Sequence, residues 1–97
     1  MKIFEWLTNY FESNARRLSQ SKITFFFWDS TTKTDNPAQV VDIDTETRMA
    51  RVTLWESGDC NFEALEDVTG EMIFFEHQII KSEKELMGFL DKTFAKL

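Results

Sequence analysis

One cysteine in 97 residues rules out an internal disulfide framework, so nothing marks the chain as built for an oxidising compartment, and the cytosol is the expected location. Three glycines and one proline leave no glycine-rich phosphate loop and no nucleophile elbow. Zinc-ligand spacing is missing too, because the lone cysteine is matched by a lone histidine. Basic residues are scarce: eleven Lys and Arg face seventeen Asp and Glu, for a net charge of -6. Such a chain repels phosphate backbones and anionic bilayers, which argues against nucleic acid or membrane and for a basic protein partner. No apolar run approaches spanning length. Met1 to Leu7 opens like a signal peptide, but Glu5, Asn9 and Glu12 interrupt it and no small-residue cleavage site follows.

What the chain has is aromatic bulk. Ten phenylalanines and three tryptophans supply the burial for one domain, 1–97, too small for a deep cleft built from many elements. Ile3, Phe4, Leu7, Tyr10, Phe11 and Leu18 follow helical spacing, with Arg16 and Arg17 near the negative pole of that helix. Lys22 to Asp29 holds Phe25, Phe26, Phe27 and Trp28, aromatic on both faces as in a strand covered on two sides. Trp6 and Trp28 are accordingly read as core. Ser30 to Ala38 has the composition of a long, mobile connection. Gln39 to Asp44 is a second strand, and Glu71 to Ile80 a last one after the turn Asp67-Val68-Thr69-Gly70. Ser82-Glu83-Lys84-Glu85 has the form of a capping box, after which Leu86, Phe89, Leu90, Phe94 and Leu97 continue at helical intervals. The predicted class is α+β: an N-terminal helix, an antiparallel meander of about five strands, and a C-terminal helix.

The most informative run is Trp55-Glu56-Ser57-Gly58-Asp59-Cys60. A type I turn over Trp55 to Gly58, with Gly58 at positive φ, sets Trp55 beside Asp59, Leu54 opposite Cys60, Val52 opposite Phe62 and Ala50 opposite Ala64. One face of this hairpin is then wholly apolar. The other carries Trp55, Asp59, Asn61, and an Arg51–Glu63 cross-strand pair in which Arg51 orients Glu63. Parity adds Asp42 to that face, and Leu65 and Phe75 are candidates for it. With both helices on one side of the sheet, this mixed aromatic and acidic face stays open to a partner. If a helix covers it instead, the contact moves to the hairpin tips and the Ser30 to Ala38 connection.

Little points to chemistry. Cys60 and His77 fall on neighbouring strands but opposite faces, which separates a thiol from its base; Cys60 reads as a small buried hydrophobe. Asp42-Ile43-Asp44-Thr45-Glu46 lacks the glycine and distal glutamate of a calcium loop, so no metal and no cofactor are predicted. Glu56 and Asp59 sit on a wet hairpin tip, where little shifts a carboxyl toward catalysis. The expectation is a protein that is not an enzyme. For Trp55 the alternatives are an interface anchor and a lid packed across its sheet neighbours.

Val41-Asp42-Ile43-Asp44, the Ala50 to Cys60 run, Thr69-Gly70-Glu71, Glu76-His77 and Ser82 to Leu86 together resemble the TriTu immunity proteins, over roughly residues 39 to 97. The resemblance implies an immunity-protein-like domain. Members are encoded beside secreted ADP-ribosyltransferase toxins that modify elongation factor Tu, a setting of interbacterial competition and type VI secretion, and they bind and neutralise the toxin. It implies a non-catalytic protein that occludes the toxin's active or target-binding surface. On that reading Trp55 is the anchor, Glu56, Asp59, Asp42 and Glu63 complement a basic toxin face, and Arg51 belongs to the contact set as the orienter of Glu63. The alternative is a non-catalytic adaptor or a homodimeric structural module using the same open face.

Overall fold

Helices from both ends of the sequence close over one side of a five-stranded sheet in the computed structural model, which describes residues 2–29 and 35–97. The order is α1 (Lys2–Ser13), α2 (Ala15–Gln20), β1 (Thr24–Asp29), β2 (Ala38–Asp44), β3 (Arg48–Trp55), β4 (Asp59–Glu66), β5 (Met72–Ile79) and α3 (Glu83–Phe94). Every strand pairs antiparallel with its sequence neighbour, giving the spatial order β1-β2-β3-β4-β5. The expected α+β arrangement is the one observed. The predicted Ser30 to Ala38 connection lies in part outside the described residues.

The single N-terminal helix expected from periodicity is divided at Asn14. The side-chain amide of Asn14 donates to the Tyr10 carbonyl at 2.7 Å, competing with the helical ladder, and Arg17 donates to the Asn14 side-chain oxygen Oδ1. At the other end Ser82 caps α3: its hydroxyl accepts from the Glu85 amide at 3.2 Å, while the Glu85 carboxylate reaches back to the Lys81 amide at 3.1 Å.

The hairpin register is the one the turn chemistry predicts. Leu54 faces Cys60, Val52 faces Phe62, Ala50 faces Ala64, and all six are buried. Gly58 adopts φ +100°, its amide donates to the Trp55 carbonyl, and its own carbonyl accepts from Ile80 at 2.7 Å. A Cβ at Gly58 would lie 2.6 Å from the Ile80 oxygen, so the turn tolerates no side chain there.

Those buried residues, with Val41 and Ile43 of β2, meet Leu7, Tyr10 and Phe11 of α1 and Leu86, Phe89 and Leu90 of α3 in one core. Phe94 ties the layers together, with its ring centroid 5.8 Å from Phe11 and 5.6 Å from Phe62. The Tyr10 hydroxyl donates to Asp91 at 2.7 Å and joins α1 to α3; burial and that carboxylate push the phenol well above its ordinary pKa. A register shift opposite Ala64 and Leu65 skips Ile73, which lets both Ile73 and Phe74 pack against the core and puts Met72 beside Leu65. The helices therefore share one face of the sheet.

Candidate functional site

The other face can be written as rows read across the sheet. Phe26, Asp42, Arg51, Glu63 and Phe75 form one row. Trp28, Val40, Thr53, Asn61 and His77 form the next, and Thr24, Asp44, Met49, Leu65 and Met72 the one on the opposite side. Among the described residues no helix covers this surface. Most exposed large apolar residues among those described gather on it: Phe26 at 66%, Phe75 at 50%, Ile79 at 53%, with Trp28, Met49 and Met72, while Val68 and Met87 lie elsewhere.

The open face expected from the pattern thus exists, and Asp42, Arg51, Glu63, Asp59, Leu65 and Phe75 stand on it. Two expectations need correction. Trp28 is not core: β1 pairs Phe26 with Asp42 and Trp28 with Val40, which turns both rings outward, while Phe25 and Phe27 pack on the core. Arg51 does not hold Glu63. Its Nε donates to Asp42 Oδ1 at 2.7 Å and its second nitrogen to Oδ2 at 3.3 Å, and it feels Glu63 only through charge. Trp28 supports the Asp42 pairing: its indole N–H donates to Asp42 at 2.9 Å and the Arg51 guanidinium lies 5.1 Å from its ring centroid. The Arg51 hydrogen bond, helped by Trp28, holds the Asp42 carboxyl below its ordinary value against a smaller opposing effect of burial.

At the hairpin tip the Ser57 hydroxyl donates to Asp59 at 2.7 Å, and His77 Nε2 lies 3.1 Å from the other Asp59 oxygen. The Ser57 hydroxyl, then His77, lowers the Asp59 pKa. Here the carboxylate bridges serine and histidine, so no imidazole reaches the hydroxyl to act as its base. Asn36 straps the same turn by accepting from the Ser57 amide at 3.0 Å, and the Glu56 amide donates to the Pro37 carbonyl. Glu56 itself is exposed. Trp55 is half-buried, at a register position opposite buried Ala38.

Cys60 points to the core and His77 to the open face, as the register requires; burial pushes the Cys60 thiol up to about 12. Among the described residues no three His, Cys, Asp or Glu side chains come together to hold a metal ion. No helix among the described residues is long and apolar enough to cross a membrane. The concavity on the open face is a shallow depression of about 370 Å³ whose lining includes Asp42, Asp44, Met49, Arg51, Glu63 and Leu65.

The outward position of Phe26 and Trp28 was within reach of sequence parity, by extending the alternation from Asp42 across one more strand pair. Four consecutive aromatics hide that alternation within β1 itself. The family model described as immunity protein TriTu matches residues 5–96, so the likeness extends through α1 and β1 as well as the hairpins. No curated protein matches the chain.

Proposed function

The chain belongs to the TriTu immunity protein family, and from that membership we propose that it binds a cognate secreted ADP-ribosyltransferase toxin and neutralises it by covering its active or target-binding surface. Elongation factor Tu is the protein so protected, in the cytosol of the producing cell or its kin, during type VI-mediated competition. The observation that carries this reading is the uncovered sheet face, where exposed aromatic and aliphatic residues surround carboxylates. A surface of that composition suits the apolar core and charged specificity elements of a protein interface. Trp55, Glu56, Asp59, Asp42, Glu63 and Arg51 form the contact set, acidic on balance and suited to a basic toxin face. Inhibition is by occlusion, because the Ser57–Asp59–His77 chain and the buried Cys60 thiol offer no activated nucleophile.

Co-expression with the neighbouring toxin gene tests the proposal: growth is rescued, and the purified pair forms a complex in which transfer of ADP-ribose to elongation factor Tu stops. Cells that die despite abundant folded protein would refute it. The same apolar face also suits a second copy of the chain, and light scattering distinguishes the two. A stable dimer that persists in the presence of the toxin would favour the homodimeric module.

A further inference from the structure

Charge on the open face is unevenly committed. Asp42 is bound by Arg51 and Trp28, and Asp59 by Ser57 and His77. Asp44 and Glu63 make no hydrogen bond or salt bridge among the described residues, Glu63 meeting Arg51 only through charge, and both line the shallow depression together with Met49, Leu65 and the Asp42–Arg51 pair. Apolar exposure is divided in a matching way, with Phe26 and Trp28 along the β1 edge and Phe75 and Ile79 along the β5 edge. Five strands set about 4.8 Å apart and some eight residues long make a flat footprint on the order of 500 Å². Side-chain relief brings that toward the roughly 800 Å² per partner of a stable interface.

We propose that this face docks a toxin segment that is basic at its centre and apolar on both sides, its Arg or Lys side chain entering the depression between Asp44 and Glu63. The inference rests on the toxin-neutralising reading above and specifies the chemistry of the partner. The alkyl stem of the incoming side chain packs on Met49 and Leu65 while its head meets the two uncommitted carboxylates. Apolar residues flanking it cover Phe26 and Trp28 on one side and Phe75 and Ile79 on the other. Trp28 is ordered before docking, by its hydrogen bond to Asp42 and the guanidinium against its ring, which lowers the entropic cost of burying it.

Calorimetric titration with a catalytically inactive form of the toxin's transferase domain, at low and high salt, tests the assignment. Asp44→Asn with Glu63→Gln is expected to bind at least tenfold more weakly at low salt and to show a flatter salt dependence than wild type. Phe26→Ser with Phe75→Ser is expected to lose a similar factor while keeping the wild-type salt dependence. On the unmodified complex, carbodiimide labelling should fall at Asp44 and Glu63 and stay unchanged at Glu12 and Glu83 of the helical face, so the result does not depend on any variant folding. Unchanged affinity of the carboxylate variant, an unchanged salt slope, or undiminished labelling would overturn the basic-centre assignment while leaving neutralisation intact. Failure of the wild-type chain to bind the domain at all would instead sink the neutralising reading.

Discussion

Arg51 and Asp42 meet side by side across the β2–β3 pair, Nε to Oδ1 at 2.7 Å, in the middle of a face that is otherwise open to solvent. The pairing depresses the Asp42 pKa below its ordinary 3.8, so its contribution is complete above that value and is lost as pH falls through the lower, folded-state pKa. Urea midpoints of wild type and Asp42→Asn should differ by a constant amount at neutral pH and converge as the pH drops below 3.8. Midpoints that keep the same separation into acid would show that ionisation of Asp42 adds nothing to stability.

Of the three glycines, Gly58 is the one whose surroundings leave no room for a side chain. Gly58→Ala must accommodate a Cβ 2.6 Å from the Ile80 oxygen at a φ of +100°, and it should cost about 2 to 3 kcal/mol in denaturant unfolding. Gly70 also has positive φ but open space around it, so Gly70→Ala should cost less than Gly58→Ala. Equal losses at the two positions would mean that backbone conformation, and not the approach of Ile80, sets the penalty.

The Cys60 thiol, fully buried and shifted to about 12, should resist iodoacetamide at mildly alkaline pH and react only on unfolding. Its labelling rate then reports opening of the β3–β4 hairpin. Rapid labelling of the native protein would contradict the packing seen around it. Cys60→Ser, which buries a hydroxyl among apolar neighbours, should destabilise by about 1 to 3 kcal/mol.

Trp55→Ala is expected to weaken toxin binding by about 2 kcal/mol or more, with a folded variant. Because Trp55 is half-buried, a modest drop in melting temperature should accompany the loss. Unchanged affinity by calorimetry, or outright unfolding, would reduce Trp55 to the lid role alone.

Much of this architecture can be read from residues. The hairpin from Arg48 to Glu66 was legible because two alternations and one turn had to agree on a single register, and they do. Its outward and inward residues followed without further information. The partner of Arg51 was not legible: Asp42 and Glu63 both lie directly across from it on neighbouring strands, and the Trp28 contacts that accompany the Asp42 pairing come from a third strand. Trp28 was hidden in turn by a run of four aromatics, where composition overwhelms periodicity. The division at Asn14 depends on a side chain competing for a helix carbonyl, and the skipped Ile73 on a bulge that leaves no mark in composition.

The pleat of the meander has an evolutionary consequence. Alternate residues of each strand stand in different surroundings: Val52, Phe62 and Ala64 in the core with the helices, Arg51, Glu63 and Phe75 on the opposite, uncovered face. A lineage pressed to recognise an altered toxin can rewrite Phe26, Asp44, Glu63 or Phe75 one substitution at a time while the buried register stays untouched. Insertion of one residue within β3 or β4 would exchange the two sets and forfeit both. Variation among descendants should therefore accumulate by replacement on every second position, with strand lengths held constant.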